Sequence, residues 1–302
     1  MPPAKAPTQQ ELQQAYQRLT DAQKAVVQLF ALLYRPTTRE QAHSCWSQST
    51  ISYLAEQPAG ALTEQAIQDR LKLLDPKLFS QIVTRLIKQG VLTQERNQGP
   101  CCHDQLLEIA TRDAVLTGTF EPMAAAVEKA LPIPKYYQSS HYKFRNPAEF
   151  MRSLRIAIYR EDSITIDNIY EDASQTYWLS DLPFFDVLQG ILTDPFDSDW
   201  MDTLSDPFFE MGLTAILGHS VEQCIPAQGA FDLLQDAYEE ETVSVEIILL
   251  YAEQLWLQGF ISEAHQVLID IKDNDELDDS AHQYYALLGA IYFLQGDTRE
   301  DI

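Results

Sequence analysis

From Asp21 to Tyr34 the apolar positions Ala25, Val26, Leu29, Phe30, Leu32 and Leu33 recur at helical spacing behind the capping residues Thr20 and Asp21, which predicts a helix. A second helix opens at Thr37-Thr38-Arg39-Glu40, capped by Thr37 or Thr38, and is expected to end near Trp46. After Pro58 and Gly60 the helical pattern resumes from Thr63 to Leu74. Pro76 then starts another helix, with Phe79, Ile82, Val83, Leu86 and Ile87 as its apolar positions before Gly90. Val91-Leu92-Thr93-Gln94-Glu95 reads as a strand and Asn97-Gln98-Gly99-Pro100 as a turn, followed by a second short strand and a helix from near His103. Helices followed by a small hairpin in this order predict the winged form of helix-turn-helix over residues 20–130, behind a flexible N-terminus at 1–19.

Residues 131–146 hold two prolines, polar residues and the aromatics Tyr136, Tyr137, Tyr142 and Phe144, so they read as a linker whose tyrosines could equally form a docking strip. Beyond it, amphipathic helices are expected near 147–160, 163–173, 181–193, 206–219 and 227–240. Residues 243–302 then carry one pattern twice. Ile248, Tyr251, Ala252, Leu255 and Gly259 match Tyr285, Leu288, Gly289, Tyr292 and Gly296 at an interval of 37 residues. Those offsets, with Ala264 and Leu268 after the first copy, are those of a tetratricopeptide-like helix pair, in which small residues let helices approach and a glycine turns the chain. The fold class is therefore mainly α, a winged helix plus a tetratricopeptide-like α-solenoid over 147–302. The second copy stops at Asp297-Thr298-Arg299-Glu300-Asp301-Ile302, so Ala286, Leu287, Ala290, Ile291 and Phe293 are expected to be partly uncovered and the chain to be the N-terminal part of a longer protein.

Charge changes the picture sharply between the halves. Residues 1–150 hold 16 lysines and arginines against 14 aspartates and glutamates, whereas 151–302 hold 5 against 31. From Glu161 to Ile271 there is no basic residue and there are 23 acidic ones. Such a surface repels phosphate backbones and anionic membranes, so any DNA contact is confined to the first half, and the second half calls for a basic protein or peptide, a further domain of the same chain, or solvent. No apolar stretch approaches the roughly 20 residues of a membrane span, and no hydrophobic signal segment follows Met1-Pro2-Pro3-Ala4-Lys5, so a cytoplasmic location is expected.

Candidate chemistry is sparse. Cys101, Cys102 and His103 resemble a metal cluster only superficially, because adjacent side chains on a strand face opposite ways. Asp194-Pro195-Phe196-Asp197-Ser198-Asp199-Trp200-Met201-Asp202 lacks the glycine and glutamate of a calcium loop, and caps and turns explain its aspartates. The histidines at 43, 103, 141, 219, 265 and 282 show no metalloprotease spacing, and no serine sits in a nucleophile elbow. The expectation is a non-enzymatic chain without cofactor or metal.

Arg85-Leu86-Ile87-Lys88-Gln89-Gly90-Val91-Leu92, a turn, and His103-Asp104-Gln105-Leu106-Leu107-Glu108-Ile109-Ala110-Thr111-Arg112 resemble the winged-helix domain of signal-transduction ATPases with numerous domains, over roughly residues 20–115. In that family a His-Asp dipeptide opens the helix after the wing and helical repeats often follow; the resemblance implies the same architecture here. This chain departs from the family in having no phosphate-binding Gly-x-x-x-x-Gly-Lys-Ser/Thr loop, so His103 has no nucleotide of its own to sense and is expected to be a helix-start or core residue. Leu154-Arg155-Ile156-Ala157-Ile158-Tyr159 and Asp194-Pro195-Phe196-Asp197-Ser198-Asp199-Trp200 are also similar to the N-terminal accessory region of large bacterial Swi/Snf-type ATPases.

Lys77, Arg85, Lys88 and Arg96 are the candidate DNA contacts, although the apolar residues of that helix commit much of it to a core. Tyr285, Tyr292, Glu246 and Glu253 are the candidate partner surface. The function expected is a protein-interaction or regulatory region whose acidic helical surface takes a basic partner. The alternatives are a DNA-associated regulator and an accessory domain of a Swi/Snf-like ATPase.

Overall fold

The computed structural model describes residues 7–56, 63–135, 141–174, 187–223, 227–239, 243–272, 274 and 277–295, without the side chains of 174, 221–223, 278, 279 and 295. The chain is mainly helical and divides into two compact units, Met1–Asp181 and Leu182–Ile302. Among the described residues no helix is long and apolar enough to cross a membrane.

The first unit begins with α1 (Gln9–Gln17), not with a flexible tail as residues 1–19 were expected to form. Thr8 and Glu11 make reciprocal capping bonds, the Thr8 hydroxyl accepting from the Glu11 amide and the Glu11 carboxylate from the Thr8 amide. Leu12 and Tyr16, four apart on one face, are buried, and the Tyr16 hydroxyl donates to Asp113 at 2.6 Å. That contact to a residue far along the chain is why the order was not readable locally.

Helix α2 (Asp21–Leu33) is the centre of this unit, buried on every side from Ala25 to Leu33. Its one buried polar residue, Gln28, is satisfied: Nε2 donates to Asp113 at 3.0 Å and Oε1 accepts from Thr119 at 2.8 Å. Helix α3 (Arg39–Glu56) runs well past the expected end at Trp46, because Ser49, Thr50 and Tyr53 are buried as α3 packs on α7 (Phe120–Ala130). Polar residues at buried positions hid that continuation.

Helix α4 (Glu64–Lys72) is capped by Thr63, and α5 (Pro76–Lys88) by Asp75 with proline in its first turn. Strands β1 (Leu92–Thr93) and β2 (Cys101–Cys102) pair antiparallel, Leu92 opposite Cys102. In the turn between them Gly99 lies so close to Thr37 that an added Cβ would stand 2.3 Å from the Thr37 carbonyl oxygen, and the Thr37 amide bonds Pro100. His103 opens the next short 3-10 turn, its Nδ1 accepting from the Gln105 amide, and α6 (Leu107–Leu116) follows.

The boundary between units falls beyond the expected linker at 131–146. Lys135 and Tyr142 form a β-bridge, Phe144 is buried against Phe150, and residues 136–140 lie outside the described set. Helices α8 (Pro147–Tyr159) and α9 (Ser163–Ser174) belong to the first unit, since Arg155 is 2% exposed and bonds Ala31, Glu108 and Thr111. The expected repeat domain over 147–302 therefore gives its first two helices to the N-terminal core.

The second unit starts, among the described residues, at a π-helical turn (Gln189–Thr193) and the short α10 (Ser198–Met201), where Asp197 caps by accepting from the Trp200 amide. Residues 181–186 of the helix expected at 181–193 lie outside the described set. Then come α11 (Asp206–Gln223), α12 (Gln228–Glu239), α13 (Val245–Leu257), α14 (Ile261–Asp270) and α15 (Leu277–Gln295). Ala252 and Ala264 are fully buried where α13 meets α14, and Gly259 turns the chain between them at φ 87°. At Gly289, the counterpart of Ala252, an added Cβ would meet nothing within 4 Å. Phe293 is 83% exposed as expected, whereas Ile291 is fully buried.

Candidate interaction surfaces

In the second unit, helices α11, α13 and α15 enclose an open groove of about 520 Å³. Leu249, Leu250 and Trp256 of α13 and Ala286, Leu287 and Ala290 of α15 give it apolar walls, and Thr214 comes from α11. Glu246 and Glu253, seven residues apart on one face of α13, stand on its edge. Glu246 accepts from the Ser280 hydroxyl at 3.2 Å, while Glu253 has no hydrogen bond or ion pair and burial pushes its carboxyl above the usual value. The indole N–H of Trp256 is buried without an acceptor.

Two of the four expected partner-surface residues, Glu246 and Glu253, thus share the groove. Tyr285 and Tyr292 do not line it: Tyr285 is 57% exposed and packs on Tyr284, and Tyr292 lies edge-on to His265 of α14 at 5.3 Å between ring centres. From α15 the groove is lined instead by Gln283, Ala286, Leu287 and Ala290. Alanines and a leucine at spacings of three and four carried that signal in the sequence, read there only as an uncovered face.

No protein-family model, curated protein or solved structure matches this chain.

The second surface is on α5. Phe79, Val83 and Leu86 are fully buried, while Lys77, Gln81, Arg85 and Lys88 are exposed and fall within an arc of about 80° at 100° per residue. The helix is therefore less committed to the core than its apolar count suggested, since one whole face is free. Arg39 of α3 fixes its orientation, donating from Nη1 to the Ser80 and Thr84 hydroxyls at 2.8 and 2.9 Å. Among the described residues Lys77, Arg85, Lys88 and the turn residue Arg96 have no ion-pair or side-chain hydrogen-bond partner.

Cys101 and Cys102 alternate as their strand requires. Cys101 lies half-buried beside the Thr93 hydroxyl at 3.1 Å, while Cys102 is buried, and burial pushes its thiol far above the ordinary value. The burial that raises the Cys102 thiol disfavours its thiolate.

Proposed function

We propose that this chain is a non-enzymatic recognition module whose second unit takes a cationic, amphipathic segment of a partner protein. The observation that carries the reading is the groove between α13 and α15: apolar walls beside two carboxylates that have no ion-pair partner among the described residues. Residues 182–302 hold 25 aspartates and glutamates against Lys272 and Arg299, so the chain's own cations are scarce there and the field favours an incoming lysine or arginine. Apolar side chains of the segment would occupy the walls, as in helix-in-groove recognition, while a cation reaches Glu253. Pairing would recover the cost of holding that carboxylate half-buried and alone. The tetratricopeptide-like spacing of α13, α14 and α15 supports the same reading, because such helix pairs present one continuous face.

Titration of the full chain with a synthetic amphipathic leucine-lysine peptide, followed by Trp256 fluorescence with Trp256→Phe as background, tests this. Saturable binding that weakens with salt and drops about tenfold in Glu246→Gln/Glu253→Gln is expected. Equal binding of a sequence-scrambled peptide, or no loss in that variant or in Leu287→Asp, would overturn it.

A second reading rests on α5. Its exposed face of Lys77, Gln81, Arg85 and Lys88, beside Arg96 in the hairpin turn, supports a winged helix that lays this helix against a duplex. The two readings are compatible, since they use different units.

A further inference from the structure

In the first unit, a cleft of about 300 Å³ is lined by Asp21, Lys24, Gln28, Tyr53, Ala66, Arg70, Asp113 and Thr117. Arg70 of α4 is 6% exposed, yet among the described residues its guanidinium has no hydrogen-bond or ion-pair partner. It lies over the Tyr53 ring at 4.5 Å and borders a second, smaller cavity with Ser49, Thr50 and Thr119. The ring contact fills none of its N–H donors. A buried arginine in this condition is uncommon, because desolvating the cation is costly unless acceptors replace the lost water. Burial holds its pKa below the usual arginine value, the nearby Tyr53 and Asp21 offsetting this only in part.

A second cation faces the same space. Lys24 of α2 is half-buried, its ammonium 5.6 Å from the Tyr16 ring, and it too has no ion pair. Neither carboxylate of the cleft makes an ion pair with these cations, although Asp21 favours the charged Arg70 through space. Asp113 is taken up by the Tyr16 hydroxyl at 2.6 Å and Gln28 at 3.0 Å, and Asp21 is exposed in the first turn of α2 and makes no ion pair.

We propose that this cleft is a binding site for a small oxyanion, a phosphoryl or carboxylate group of a small molecule, with Arg70 as the forked donor and Lys24 as the second charge. The planar edge of Arg70 matches two oxygens of such a group, and the stacked Tyr53 ring holds that edge in place without competing for it. Lys24 supplies the point charge that favours a dianion. The volume accommodates the anionic head of a metabolite. The site is separate from α5 and from the groove of the second unit, so it stands or falls independently of either.

The test is two-dimensional NMR of the full chain, following the Arg70 Nε–H resonance during titration with inorganic phosphate and, separately, succinate, with sodium chloride at matched ionic strength as control. A saturable shift with one oxyanion and not with chloride is expected; phosphate acting alone marks a phosphoryl ligand, and succinate alone a carboxylate. Arg70→Lys keeps the charge and removes the fork, and should weaken binding about tenfold. Lys24→Gln lies at the rim of the cleft and should weaken it while leaving the fold, read by circular dichroism, unchanged. Chloride reproducing the shift, no saturation with either oxyanion, or unaltered affinity in Lys24→Gln would overturn the proposal.

Discussion

Arg155 and Glu108 form a two-point ion pair inside the first unit, with Nε donating to one carboxylate oxygen at 3.0 Å and Nη2 to the other at 2.9 Å. Two further bonds hold the guanidinium, Nη1 to the Ala31 carbonyl and Nη2 to the Thr111 hydroxyl, each at 2.9 Å. The Tyr34 ring lies 4.8 Å from the guanidinium, and the Tyr159 hydroxyl donates to Glu108 at 2.8 Å. One side chain thereby ties α2, α6 and α8 together. Burial alone would lower the Arg155 pKa, but Glu108 raises it above the usual value.

Removing the cation should strand a buried carboxylate. Arg155→Met is expected to destabilise the first unit by about 3–5 kcal/mol, measured by urea unfolding, and Arg155→Lys should recover little because an ammonium cannot fill the fork. A loss below about 0.5 kcal/mol would mean the pair does not hold α8 in place.

Gly99 is required by contact with backbone rather than by its own torsions. Alanine there would press its methyl into the Thr37 carbonyl, which cannot move without opening the start of α3. Gly99→Ala should cost about 1–3 kcal/mol, and exchange of the Thr37 amide, bonded to Pro100, and of the His103 amide, bonded to Val91, should accelerate. Unchanged exchange at both would show that the turn relaxes freely.

Glu253 makes stability depend on pH in a defined sense. Burial raises its folded pKa, so the folded state favours the protonated acid. Its contribution is complete below the unfolded carboxyl value, roughly 4.3, and is lost as pH rises through the folded value. Glu253→Gln should therefore raise the thermal midpoint at pH 7 and give no gain as pH approaches about 4. A gain of equal size at both pH values would assign the effect to packing instead.

If α5 lies against DNA, Arg85→Ala/Lys88→Ala should weaken duplex binding uniformly across sequences and reduce the salt-dependence slope by about 2. Fluorescence anisotropy at several salt concentrations reads both quantities. Binding by the parent chain with no salt dependence would exclude a phosphate-contact role for this face.

The mainly helical class, the starts of α2, α5 and α11, and the hairpin around Gly99 were legible because each depends on residues close in sequence: Thr20 as a cap, prolines 76 and 207 in first turns, alternation across Leu92 and Cys102. The four candidate cations on α5 and its turn were legible as well, as was the Glu246/Glu253 pair. The groove itself was not, since Trp256 and Leu287 become neighbours only when α13 and α15 pack.

Local chemistry by itself determined where helices begin, which half is acidic and which residue types are available for binding. Tertiary structure alone decided that α1 is ordered through Tyr16 and Asp113, that α8 and α9 join the first unit through Arg155, and that Tyr292 turns to His265 rather than the groove. The physical reason is that caps and periodicity act over a few residues, whereas the partner that desolvates or neutralises a side chain can lie far along the chain. Arg155 shows the difference: the sequence places a cation on an apolar helix, and only the fold supplies Glu108.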